Sequence, residues 1–296
     1  MWHWATPTNW FSPEADLLRF VAFWSFFALL GGLEALFPAI AGPAERGQRW
    51  PTNLGLGLLN MMILPFAPLS AFAATEWAQT ARVGFFNVVE TPWLVAALAT
   101  LATCSLVGYG VHVLMHKVPL LWKVHRVHHL DTHLDVSTTV RSHPVEIAVK
   151  VLVLVPVAIA FGLTPIVLIA YEMVEGLVDA FSHANIELPR SLDRALRWLI
   201  ITPNIHSIHH SSHQPETDSN YGQVFSVWDR LFGTYTAETN TSRRDREIGL
   251  KEIRDGRTMS FWWQLRSPLL NFRRQAREAA PASAEPRTGS RFASPL

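Results

Sequence analysis

The stretch TPWLVAALATLATCSLVGYGVHVLMHKVPLLWKVHRVHH, residues 91–129, decides the reading of this chain. Thr91 to Met115 carries no Asp, Glu, Lys or Arg and is long enough, as a helix, to cross the hydrocarbon core of a bilayer. It runs straight into His112, His116, His125, His128 and His129. A histidine in or beside lipid is costly unless something engages its ring nitrogens, and imidazole is the commonest side-chain metal ligand. Positions i, i+3 and i+4 of a helix share a face. The His112/His116 pair and the His125-Arg-Val-His128-His129 triplet can therefore each present their rings to one side.

A second triplet, His206-Ser-Ile-His209-His210, repeats the spacing. Three one-sided imidazole groups point to a metal cluster, and their eight rings are too many for one four- to six-coordinate ion, so two metals are expected. Thr202-Pro203 reads as a helix start, with Thr as N-cap and Pro at the first helical position. Between the triplets, Glu172, Glu175, Asp179 and His183 form an acidic stripe on one helix face. His183 is expected as a ninth ligand. Asp179 is either a ligand or an acceptor that orients a histidine, while Glu172 and Glu175 read as supporting partners or structural charge pairs. His143 is weighed as a ligand against a hydrogen-bonded structural histidine. His133 and His213 read as solvated loop residues, and the terminal His3 is uninformative.

Working outward, Leu17 to Phe37 is a second candidate span, with Arg19 and Glu34 near its ends where they reach the interface. Thr52 to Thr75 is a third, with no charged residue, and is expected to kink at Pro65 and Pro68. Glu146 to His183 is too long and too broken for one upright helix; it reads as a helical hairpin turning near Gly162-Leu-Thr-Pro165. Its arms return to one side, which brings every histidine group to that side. Arg46 and Arg49 against Arg82 place that side in the cytoplasm. The first span lacks a basic n-region, so no cleaved signal peptide is expected. Three regions follow: membrane spans over 1–90, a catalytic domain over 91–240 and a polar tail over 241–296, expected to be disordered from about Arg274.

Composition agrees with a membrane protein. Of 296 residues 49% are hydrophobic and 17% charged, with a mean hydropathy of +0.15, against about 25% charged in an average soluble domain. A net charge of +1 argues against nucleic-acid binding, which needs a basic patch. The one cysteine, Cys104, excludes an intramolecular disulfide and a thiolate zinc site. The His-Glu-X2-His signature of zinc hydrolases is missing. A donor set of nitrogen with some oxygen suits Fe, Zn, Cu or Ni. Many imidazoles around two metals at a membrane surface fit redox iron with positions open to O2. A membrane haem protein for electron transfer or a metal transporter would use the histidines differently: single axial ligands on facing helices, or sites distributed through all the spans.

The motifs resemble those of the fatty acid hydroxylase/sterol desaturase superfamily of membrane di-iron oxygenases, over about residues 100–236. The similarity runs through Tyr109-X2-His112-X3-His116, Pro119-Leu-Leu-Trp122, His125-Arg-Val-His128-His129, Arg141-X-His143-Pro144-X-Glu146 and Phe181-Ser-His183-Ala-Asn185-X2-Leu188-Pro189. It continues through Thr202-Pro203-X2-His206-X2-His209-His210, Asn220-Tyr221-Gly222 and Trp228-Asp229-Arg230-Leu-Phe-Gly-Thr-Tyr235. The resemblance implies an all-α, polytopic membrane protein with a cytosolic histidine-rich cap. It implies two non-haem iron ions on His112, His116, His125, His128, His129, His183, His206, His209 and His210, with Asp179, His143 and Glu175 as candidates behind them. It also implies O2 as co-substrate and oxidation of a C–H bond of a membrane lipid to an alcohol or alkene. Two positions depart from the pattern: Ser105 replaces an acidic residue, and Asp179 replaces a further histidine of fatty-acyl hydroxylases, which favours the sterol-desaturase-like branch. With no fused cytochrome b5 domain, electrons are expected from a separate donor of cytochrome b5, ferredoxin or reductase type. The lipid is expected to reach the metals through an apolar cleft along the 91–115 and 147–183 helices.

Overall fold

The computed structural model describes residues 13–41, 45–63 and 70–270. Among them the chain is all helix, with three isolated β-bridges and no strand. Three helices are long and apolar enough to cross a membrane: α1 (Pro13–Leu36), α5 (Trp93–Lys117) and α7 (Pro144–Phe161). α7 and α8 (Pro165–His183) form the expected hairpin. Gly162, left-handed at φ 65°, ends α7 and returns its amide to Ala158 and Ile159, and Pro165 opens α8. That turn is also a close crossing. A Cβ on Gly84 would lie 2.4 Å from Gly162 N and Ile159 O, so only glycine fits there.

The expected span from Thr52 to Thr75 is instead two helices, α2 (Arg46–Ile63) and α3 (Ala71–Thr80); Pro65 and Pro68 lie outside the described residues. α2 also carries a polar face. Asn53 donates to Asp131 Oδ2 (2.9 Å) and Ser137 Oγ (2.8 Å), and Asn60 donates to Ser142 O (2.9 Å). α2 is thereby tied to the layer that carries the histidines. Glu34 also departs from expectation: it is fully buried, and its Oε1 accepts from the amides of Val136 (2.8 Å) and Asn185 (2.7 Å).

That layer is made of short helices at the ends of α5 and α8 and the start of α7: α6 (Pro119–His129), α9 (Arg190–Leu196), α10 (Pro203–His209), α11 (Gln214–Thr217) and α12 (Val227–Phe232), preceded by α4 (Phe85–Val88) on the far side of the bundle. Buried ion pairs lock it. Arg49 meets Asp131 through Nε (2.5 Å) and Nη2 (2.8 Å) and Asp135 through Nη1 (2.8 Å). Arg141, with no exposed surface, donates to Val127 O, Asn53 Oδ1 and Thr258 O at 2.7–2.8 Å. The segment 241–270, ending in α13 (Phe261–Arg266), packs onto the same layer: Leu250 and Ile253 cover Leu130, and Arg246 donates to Ser207 Oγ (2.6 Å). His3 and the stretch from Arg274 lie outside the described residues.

Candidate metal centre

Nine histidines from four helices converge in two groups. His112, His116, His125, His129 and His209 form one, and His128, His183, His206 and His210 the other; within each, one nitrogen per ring lies within 4.8 Å of all the rest. All nine are buried. α5 ends with His112 and His116, α6 carries one triplet, α8 ends at His183, and α10 with its C-cap residue carries the second triplet. Both triplets are divided in the same way. The i, i+4 pair goes to one group and the i+3 ring to the other: His125/His129 against His128, and His206/His210 against His209.

The ring nitrogens identify what the groups can hold. His112 Nδ1 donates to Tyr221 O (2.7 Å) and His209 Nδ1 to Ser219 O (2.7 Å). A carbonyl only accepts, so both protons sit on Nδ1 and both Nε2 atoms are bare lone pairs. Those two atoms face each other at 3.1 Å. His128 and His183 repeat the arrangement: their Nδ1 atoms donate to Arg141 O (3.2 Å) and Asp179 O (2.8 Å), and their Nε2 atoms stand 3.1 Å apart. Two acceptors at contact distance repel unless a cation lies between them. The neighbouring Nε2 pairs are 3.0–3.2 Å apart, and nitrogens about 2.1 Å from a shared ion at a right angle would be roughly 3.0 Å apart. The donor set therefore fits two metal ions.

Burial keeps the rings neutral. It pushes His125, His129, His206, His209 and His210 well below the usual histidine range and brings His128 down to about 3, with neighbouring imidazoles adding to the effect in each. Carboxylates stand behind three rings. Glu146 Oε1 is 3.1 Å from His125 Nδ1, Asp179 Oδ1 is 3.3 Å from His183 Nδ1, and Asp218 Oδ1 is 3.6 Å from His116 Nδ1.

Residues 96–234 match the fatty acid hydroxylase family. An alkylglycerol monooxygenase of Xenopus tropicalis is 27% identical over 198 residues, 66% of this chain and 43% of that protein. An ornithine lipid hydroxylase of Rhizobium tropici is 29% identical over 145 residues (46% and 40%), and a cholesterol 25-hydroxylase-like protein of Danio rerio is 28% identical over 186 (61% and 70%). These matches support assignment of residues 96–234 to the fatty acid hydroxylase/sterol desaturase superfamily. The chain spans less than half the length of the alkylglycerol monooxygenases it matches. No solved structure is significantly similar to it.

Several supports of the histidine groups leave little mark in the sequence. Glu146 is marked only by the motif that it ends, and nothing in the sequence around Asp218 singles it out. The backbone acceptors at Arg141, Ser219 and Tyr221 leave no composition signal. Asp229 fixes the last of these, accepting from the amides of Tyr221 and Gly222 (2.7 Å each). Other expected residues lie elsewhere. His143 is outside both groups; it caps α7, accepting from Val145 N (3.2 Å), and meets Leu265 O through Nε2 (3.2 Å). Asp179 stands on the Nδ1 side of His183, away from the converging Nε2 atoms. Glu175 bonds Gln223 instead of a histidine. Thr202 holds the N-cap position of α10, but its hydroxyl donates to Asp193 Oδ1 (2.6 Å) and does not cap the helix. His133 is half-buried and His213 exposed.

Proposed function

We propose that the chain binds two iron ions and uses O2 to oxidise a C–H bond of a membrane lipid, by hydroxylation or desaturation. The observation that carries this reading is the pair of histidine groups with bare Nε2 atoms turned on one another. His112, His116, His125, His129 and His209 would hold one ion, and His128, His183, His206 and His210 the other. The printed activities of the relatives, lipid hydroxylases and monooxygenases, support the same reading. Bound iron would supply the O2 reduction and the redox chemistry on carbon.

The chain's own residues do the rest. Carbonyls of Tyr221, Ser219 and Arg141 fix the Nδ1–H tautomer of His112, His209 and His128, which leaves Nε2 free without a proton to lose. Glu146 and Asp179 pull on Nδ1–H of His125 and His183 and make those rings stronger donors. Burial of all nine rings excludes bulk water. Residues 91–240 are read as the catalytic domain, 1–90 as membrane spans and 241–296 as a C-terminal region. The chain is read as multi-pass with its histidine layer on the cytoplasmic side, and a separate protein is read as the electron donor.

The test begins with protein purified without oxygen. About two irons per chain are expected, with His206→Ala and His125→Ala each reducing the count toward one. Lipid extracts of cells with and without the protein, compared by mass spectrometry, should then contain a lipid that has gained one oxygen or lost two hydrogens. Stoichiometric haem in the purified protein, or changes confined to water-soluble metabolites, would overturn the reading.

A further inference from the structure

One turn deeper into the bundle than the histidines, α5, α7 and α8 bring together a polar trio, Lys150, Glu175 and Gln223, that is not among the supports of the histidine groups. Gln223, on the loop between α11 and α12, donates to Glu175 Oε1 (2.5 Å) and accepts from Lys150 Nζ (3.1 Å). Glu146 lies 4.0 Å from Lys150 and touches His125, while Asp179, one turn along from Glu175, touches His183. The cluster thus reaches both histidine groups. Gly108 of α5 makes room for it: a Cβ there would lie 2.6 Å from the Gln223 amide and 3.5 Å from Glu175 Oε1.

The hairpin arms explain the space. α7 and α8 each pack on α5 and α3 but barely on each other. Near their turn, Ala71, Val155, Ala158, Leu163 and Leu168 fill the gap with apolar side chains. Toward the histidines the arms carry Lys150 and Asp179 instead, whose side chains keep 43% and 37% of their surface accessible. Charged groups open to lipid at this depth are expensive, and a purely structural charge cluster would be closed and fully paired. Glu146, only 3% exposed, still has an Oε2 with no hydrogen-bond partner. The ends of α7 and α8 nearest the histidines are therefore polar where the sequence predicts an apolar surface.

We propose that Lys150, Glu175 and Gln223 form a subsite for an uncharged, hydroxyl-bearing group of the lipid, held next to the carbon that is oxidised. An ammonium donor, an amide and a carboxylate acceptor within one trio match hydroxyls, which donate and accept at once. Three carboxylates (Glu146, Glu175 and Asp179) oppose an anionic headgroup, and the Lys150 ammonium already occupies the place beside Glu146 that a cationic one would take. Reactive carbons in the middle of a long hydrocarbon chain bring the trio no hydrogen-bonding group and are disfavoured.

This rests on the lipid-oxidation reading, and the test separates the two. Full-length, iron-loaded protein in nanodiscs is offered four labelled sixteen-carbon probes: a vicinal diol, the alkane, the carboxylate and the amine. The diol should bind on the order of ten-fold or more tighter than the others, the usual scale for hydrogen bonds to charged groups. Glu175→Gln and Lys150→Met should each remove most of that advantage while iron content stays at the wild-type level. Equal binding of diol and alkane by the wild-type protein, or tightest binding of the carboxylate or amine, overturns the subsite whether or not the variants fold. Selective diol binding with no oxidised product from any probe would sink the oxygenase reading and leave the subsite standing. Oxidation of all four at the same KM would do the reverse.

Discussion

Replacing Glu146 by Gln tests whether the two histidine groups are separate sites with separate supports. Glu146 sits in the first turn of α7, 3% exposed, with Oε1 3.1 Å from His125 Nδ1. Glutamine keeps the volume and an acceptor oxygen, so the change isolates the charge. Loss of a carboxylate standing behind a metal-bound histidine weakens metal binding by about 10- to 100-fold. Iron in the five-histidine group should therefore weaken by that factor. The four-histidine group should not, because its Nδ1 contacts run to Arg141 O and Asp179. Anaerobic titration with an iron chelator, followed by metal analysis, should change from one release step to two. Asp218→Asn is the graded control: at 3.6 Å and 26% side-chain exposure its effect should stay under about ten-fold. Unchanged release in Glu146→Gln, or equal weakening of both ions, refutes the reasoning.

Acid should destabilise the metal-free protein. Folded His128 titrates at about 3 and its buried neighbours also well below the ordinary value of 6.5, while the unfolded chain takes up those protons near 6.5. The unfolded state thus binds more protons between these values, and stability is level above about 6.5 and falls as pH drops below it; a melting temperature that stays constant between about pH 7 and pH 5 would contradict this. Arg141→Met leaves Val127 O, Asn53 Oδ1 and Thr258 O without their donor and should cost about 3–5 kcal/mol, read as a shift of the denaturation midpoint in detergent.

The parts of this molecule that follow from local periodicity were legible in the sequence, and those that depend on distant partners were not. The helical hairpin could be read from Gly162 and Pro165 because a left-handed C-cap and a first-turn proline are local requirements. The convergence of the histidines could be read from their spacing. Their division could also have been read. At about 100° per residue, i+4 lies some 40° from i, while i+3 lies about 60° away on the other side, so each triplet splits two to one between neighbouring points. Which group His183 or His112 joins is decided only when α8 and α5 dock. Glu146 lies 21 residues from His125 in a different helix, and nothing in its neighbourhood distinguishes it from a first-turn glutamate placed there for the helix dipole. The long uncharged run from Thr52 misled for a related reason. Asn53 and Asn60 look neutral to hydropathy, yet their amides need partners once buried, and Asp131, Ser137 and Ser142 supply them. The same limit applies to Lys150 and Gln223: they lie 73 residues apart, and only the packing of the 218–226 loop beside Gly108 brings them together. A polar cluster formed where a cap loop enters the helix bundle is a feature that hydropathy along any single helix does not report.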